Sequence, residues 1–212
     1  MKMSKITFII ITLCFSVFAQ MTTVIPGVLG QNSSVQAQTL ESINNLTSNS
    51  NLSSNAPFSN FESRVHGVSL SYPSNWTVST SGLPEYTQIV AIYSPLTNIS
   101  DTIPARFSIS VFSYENNISL TDFTNMTLGS LNGSQQFQMV SSGPTTIDSN
   151  PAYQVILSTL PSMQSPLPFG LMNTWTAVGN TLYLMSYSAD SSEFSRYLPL
   201  VEKMLTSFEI HK

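Results

Sequence analysis

The sequence is short of the residues from which most protein sites are built. It has one cysteine, two histidines and seven basic residues among 212, and only 8% of its residues are charged. A lone Cys14 excludes a disulfide framework and a thiolate zinc site. Lipidation of Cys14 is disfavoured, because Leu13 stands where a small residue is expected. Arg64, Arg106, Arg196, Lys203 and Lys212 are scattered along the chain. Phosphate backbones need clustered cations, so nucleic acid is excluded as a partner, and so is a basic membrane-surface patch. No Gly-x-Ser-x-Gly elbow, phosphate loop or dinucleotide fingerprint occurs. His66 and His211 lie near the two ends of the folded part and read as surface or packing residues, since a metal site wants several ligands. No cofactor is called for, and the chain reads as a non-enzyme.

The first 30 residues carry an address. Lys2 and Lys5 precede an apolar run from Ile6 to Phe18, and Val17-Phe18-Ala19 offers a signal-peptidase site. Val28-Leu29-Gly30 is a second site. The alternative is an uncleaved anchor from Ile6 to Ile25, although Gln20, Thr22 and Thr23 interrupt that run, and a span wants about 20 apolar residues. Both readings place the protein outside the cytoplasm, secreted or held at the membrane by its N-terminus alone. Loss of Lys2 and Lys5 would take the formal net charge from −4 to −6.

Asn, Ser and Thr replace charge as the solubilising residues. Asn-x-Ser/Thr sequons occur at Asn32, Asn45, Asn51, Asn75, Asn98, Asn117, Asn125 and Asn132. Composition alone would give roughly four, so these eight are candidate glycosylation sites. Residues 31–60 form a polar tract with few aromatics, which cannot bury enough surface to offset its ordering entropy. It is expected to be a disordered linker.

Residues 61–212, roughly 150, suit one domain. Val68, Leu70 and Tyr72 alternate with serines, a half-buried strand that Pro73-Ser74-Asn75 breaks and Trp76–Val78 resumes. Strands are also expected at 89–93, 106–114, 138–147 and 152–160, with Ser149-Asn150-Pro151 turning between the last two. Ser119 and Asp122 predict a helix start, Leu120, Phe123, Leu128 and Leu131 its apolar face, and Gly133 its end. That face turns Asn125 and Asn132 outwards. Pro161–Gly170 reads as a loop. Met172–Val178 and Thr181–Ser188 form a hairpin around Gly179-Asn180. A last helix starts near Asp190, buries Phe194, Tyr197, Leu198, Val201, Leu205 and Phe208, and either kinks at Pro199 or begins there. The expected class is α+β, an antiparallel sheet of about six strands with helices packed on it.

Gly67-Val-Ser-Leu-Ser-Tyr72-Pro73-Ser-Asn-Trp76, Pro151-Ala-Tyr-Gln-Val-Ile, the Trp175 hairpin and Met204-Leu-Thr-Ser-Phe208 together resemble the PsbP-like domains across 64–212. The resemblance implies an α/β/α sandwich around a central antiparallel sheet, a fold shared with Mog1-type proteins. It also implies kinship with extrinsic photosystem subunits, their assembly factors and secreted prokaryotic proteins. No metal-ligating His/Asp set maps onto this chain, so calcium or manganese binding is not carried over.

Two functions follow as expectations. One is a non-catalytic extracytoplasmic module that binds or helps assemble a membrane or envelope protein complex. The other is an extracytoplasmic binder of a small ligand or a metal such as calcium. The second would use the Pro161–Gly170 loop, a groove lined by Tyr72, Trp76, Tyr93, Trp175 and Tyr183, or a carboxylate cluster from Asp101, Glu115, Asp148 and Asp190. Both tryptophans are more readily explained as core.

Overall fold

The computed structural model describes residues 57–80, 87–96, 103–160 and 168–211. The signal and most of the linker, Asn32, Asn45, Asn51, Asn98, Asp101 and positions 161–167 lie outside the described residues.

Strands β1 (Phe58–Ser63) and β2 (Val68–Pro73) pair with the two-residue β10 (Glu209–Ile210) in a three-stranded sheet of order β1-β2-β10. A seven-stranded sheet contains β3 (Thr77–Ser79), β4 (Gln88–Tyr93), β5 (Arg106–Ser113), β6 (Phe137–Ile147), β7 (Asn150–Thr159), β8 (Phe169–Val178) and β9 (Thr181–Asp190). Its order is β3-β4-β5-β9-β8-β7-β6, antiparallel throughout. The expected single sheet of about six strands is thus seven strands plus a second small sheet. The extra strands come from β1, which begins inside the tract read as linker, and from the chain end.

Period two divides the large sheet into two faces. Phe107, Ile109, Tyr183, Met185, Tyr187 and Met172 point to one core, shared with Val68 and Leu70 of β2. Helix α2 (Ser191–Thr206) covers it with Phe194, Tyr197, Leu200, Val201, Met204 and Leu205. Phe112, Leu182, Leu184, Trp175, Val155 and Leu157 point to the other face, under Phe123 and Leu131 of α1 (Leu120–Asn132). Ser119 caps α1 by accepting the Asp122 N–H at 3.2 Å. Gly133 ends the helix as expected, but at φ −89° and not in the left-handed region. Asp190 caps α2 by accepting the Ser192 N–H at 2.9 Å. The helix continues through Pro199, which lies exposed within it, so α2 starts at Ser191 and not at the proline.

Gly179 alone has positive φ (61°) in the β8–β9 hairpin, the type II′ pattern that suits strand twist. Between β6 and β7 the turn is Asp148-Ser149, with φ 47° and 62°, one residue earlier than the sequence suggested. Asn150 and Pro151 are already paired in β7. Phe169 and Gly170 likewise belong to β8 and not to a loop. A Cβ on Gly170 would lie 2.4 Å from the Phe194 ring, so the glycine permits α2 to sit directly on the sheet.

Candidate functional site

The aromatic groove does not form. Trp175 is fully buried on the α1 side, edge-on to Phe123 at 5.8 Å, and its Nε1–H donates to Thr124 Oγ1 at 2.9 Å. Trp76 is buried on the α2 side, T-shaped against Tyr197 at 5.4 Å. Tyr183 packs edge-on to Phe208, and Tyr72 is half-buried against the same core. The sheet separates Trp175 from the others, and every one of these rings is consumed by packing. Tyr93 is half-buried, at the end of β4.

Among the described residues the carboxylates do not cluster either. Strand register puts Glu115 and Asp148 at one end of the sheet and Asp190 at the other. Asp148 Oδ2 accepts the Ile210 N–H at 3.0 Å, and Asp190 caps a helix. Among the described residues no three His, Cys, Asp or Glu side chains converge as metal ligands.

Two other places have the character of a site. The first is the outer face of the small sheet. Phe61, Leu70, Val68 and Ile210 turn towards the core, so alternation sends Asn60, Glu62, Ser69, Ser71 and Glu209 outwards. With Ser207 and His211 they line a trough of about 430 Å³. Glu62, Ser69 and Glu209 stand in one cross-strand row. His211 Nε2 lies 2.8 Å from Ser69 Oγ, Ser71 Oγ donates to Asn60 Oδ1 at 2.9 Å, and Arg64 Nε donates to Glu62 Oε1 at 3.0 Å. Ser207 Oγ accepts the Ser71 N–H and donates within its own helix end. The trough is a preorganised surface of mixed donors and acceptors with two carboxylates. Nothing in the sequence pattern announced it, because Glu62 and Glu209 are 147 positions apart. His66, by contrast, is exposed beside Ser63 Oγ at 2.9 Å.

The second place is a buried polar strip on the face that α1 also covers. Arg106 pairs with Ser188, Ser108 with Ser186, and Asn173 with Ser186, all on that face. Arg106 is 8% exposed and Gln88 6%. Arg106 Nη2 donates to Gln88 Oε1, while Arg106 Nε and Gln88 Nε2 have no partner. Among the described residues no carboxylate meets this guanidinium. A buried cation without an anion costs several kcal/mol, roughly, unless something else compensates it.

The architecture defines a class: an α+β domain with a helix on each face of a central antiparallel sheet. The chain has the PsbP/Mog1 fold. It superposes on cyanobacterial PsbP (CyanoP) from Synechocystis with a TM-score of 0.55 at 14% identity, covering 74% of this chain and 94% of that one. LpqN, involved in cell envelope biogenesis of Mycobacterium tuberculosis, gives 0.53 at 14% identity over 75% and 88%. The Ran-binding protein Mog1p of Saccharomyces cerevisiae gives 0.50 at 11% identity over 73% and 96%. No protein-family model and no curated sequence matches the chain. Such identities establish the fold and leave function to the site.

Proposed function

We propose that the protein is a non-catalytic extracytoplasmic module that docks onto an envelope protein through the small-sheet trough. The trough is the observation that carries this reading: its polar groups are already bonded to one another, which suits a preformed contact surface better than a reaction. Glu209, with Glu62 where a partner's cation displaces the exposed Arg64, favours a partner presenting Lys or Arg, and such charges act mostly on encounter rate and register. The signal-like N-terminus and polar tract support an extracytoplasmic, tethered or released head. The description of LpqN as involved in cell envelope biogenesis agrees with this setting.

The test is crosslinking in the native envelope followed by capture. A stoichiometric membrane-complex partner, lost on the double substitution Glu62→Lys/Glu209→Lys, supports the proposal. Both positions are exposed, so the fold should tolerate them. Capture of nothing, or capture indifferent to charge reversal, would overturn it.

The polar strip favours a second reading, a binder of a small anionic ligand at Arg106. That reading requires a ligand-dependent rise in melting temperature that Arg106→Met abolishes.

A further inference from the structure

Four sequon asparagines lie among the described residues, and Asn75, Asn117, Asn125 and Asn132 are all exposed. Exposure alone does not single them out: outside any sequon Asn173 is buried and Asn150 half-buried, but Asn60, Asn116 and Asn180 are exposed. Three of the four belong to one side of the molecule. Asn125 and Asn132 are seven residues apart on α1, close to two helical turns, so they share a face. Phe123, Thr124, Thr127 and Leu131 occupy the opposite, buried face. Asn117 lies two residues before the cap.

The hydroxyl residues of the α1 sequons are not equally open: Ser119 is exposed, Ser134 half-buried and Thr127 buried. Thr127 is buried and its Oγ1 donates to the Phe123 carbonyl at 2.8 Å. Ser119 Oγ is occupied as the cap of α1. A transferase that reads the hydroxyl two positions beyond the asparagine cannot reach Thr127 once the helix has formed. Asn75 is the contrast, since both it and Thr77 are exposed beside a turn.

We propose that the outer side of α1 carries N-linked glycans at Asn117, Asn125 and Asn132, with Asn125 modified before α1 folds. The donor is a lipid-linked oligosaccharide. The asparagine amide nitrogen forms a bond to the anomeric carbon, the bond from that carbon to the lipid phosphate oxygen breaks, the lipid phosphate leaves with the electron pair, and one amide proton is lost. The glycans supply the solvation that a chain with 8% charged residues lacks. They also clothe the side of the large sheet opposite α2.

The inference rests on the extracytoplasmic reading. Its test is mass spectrometry of the full chain from its own envelope. Asn117→Gln, Asn125→Gln and Asn132→Gln should each remove one glycan mass, while Asn116→Gln, exposed but outside a sequon, removes none. The full chain made in a host without N-glycosylation, folded and then given native membranes and lipid-linked donor, should gain a glycan at Asn75 and none at Asn125. A peptide spanning 122–130 should accept one at Asn125. A bare peptide mass in the extracytoplasmic native protein overturns this inference alone, and a cytoplasmic location removes the underlying reading as well. Equal transfer to Asn125 in the folded chain and the peptide overturns the order of events.

Discussion

Arg106 and Gln88 make a pair whose energetics can be worked in advance. Each is more than nine-tenths buried, they share one hydrogen bond, and each keeps one nitrogen unbonded. Gln88→Leu removes the acceptor of a charged donor and should cost about 1.5–3 kcal/mol. Arg106→Met leaves the glutamine amide without any bond, a penalty of about 1–3 kcal/mol, offset by relief of a buried charge. The double variant Arg106→Met/Gln88→Leu leaves neither penalty. It should be neutral or up to about 1–4 kcal/mol more stable than the parent. Urea unfolding of all four proteins gives the coupling energy directly. Thermal melts should follow at about 2–4 °C per kcal/mol for a domain of this size. Strict additivity, with the double variant as unstable as the summed singles, would refute the reasoning. The guanidinium would then have a compensating partner besides Gln88, which is what the anionic-ligand reading requires.

Gly170→Ala should destabilise by about 1–3 kcal/mol through overpacking, because the new methyl meets the Phe194 ring, itself stacked on Tyr187 at 4.8 Å and unable to yield; Gly143→Ala, with open space around its Cβ, is the control in the same unfolding assay. Burial pushes the Tyr114 phenol up to about 12 and raises Tyr187 further, with the nearby Tyr197 and Glu193 adding to the shift. A raised folded-state pKa means that stability is full below the unfolded tyrosine value near 10 and is lost as pH rises from there towards 12. Absorbance at the tyrosinate band should therefore show these two rings ionising only as the protein unfolds, and early ionisation of all eight tyrosines would contradict the burial.

The legible parts of the fold were those whose signals are local. Alternation at 68–72 and 106–113, the Ser119 cap and the Gly179 turn each report their own segment. Strand β1 gave no such signal, because Phe58 and Phe61 are three apart, a helical and not a period-two spacing, in a segment of only six residues. Strand β10 is two residues long and exists only because the chain end returns to β2 across some 140 positions. The trough inherits that illegibility, as it is assembled from β1, β2 and β10. Arg106 and Gln88 meet along neighbouring strands, 18 residues apart, and a scattered arginine in a sequence carries no sign that it will be buried. The tryptophans were legible as core because two large rings in strand-like segments have few other places to go.

A chain this poor in charge must still protect its sheet edges, and lysine, the usual device, is absent from both edge strands. At one edge β3 is only three residues long. At the other, β6 runs for 11 residues, with most of its side chains exposed, and would be a template for a second chain. Two irregularities blunt it. A bulge between Met139 and Ser141 breaks the register with β7, and Pro144, opposite Tyr153, has no N–H to offer. A strand proline is tolerated where its nitrogen faces the free side, so Pro144 removes a donor from the docking edge and not from the ladder. Pro144→Thr restores that donor. Because the position is exposed, monomer stability should change by no more than about 0.5 kcal/mol. Self-association, followed by light scattering over a concentration series of glycan-free chain, should rise relative to the parent, and a further variant in which Val140 is deleted, removing the bulge, should raise it further. Unchanged scattering in both variants would mean that the edge is protected by something other than its own backbone.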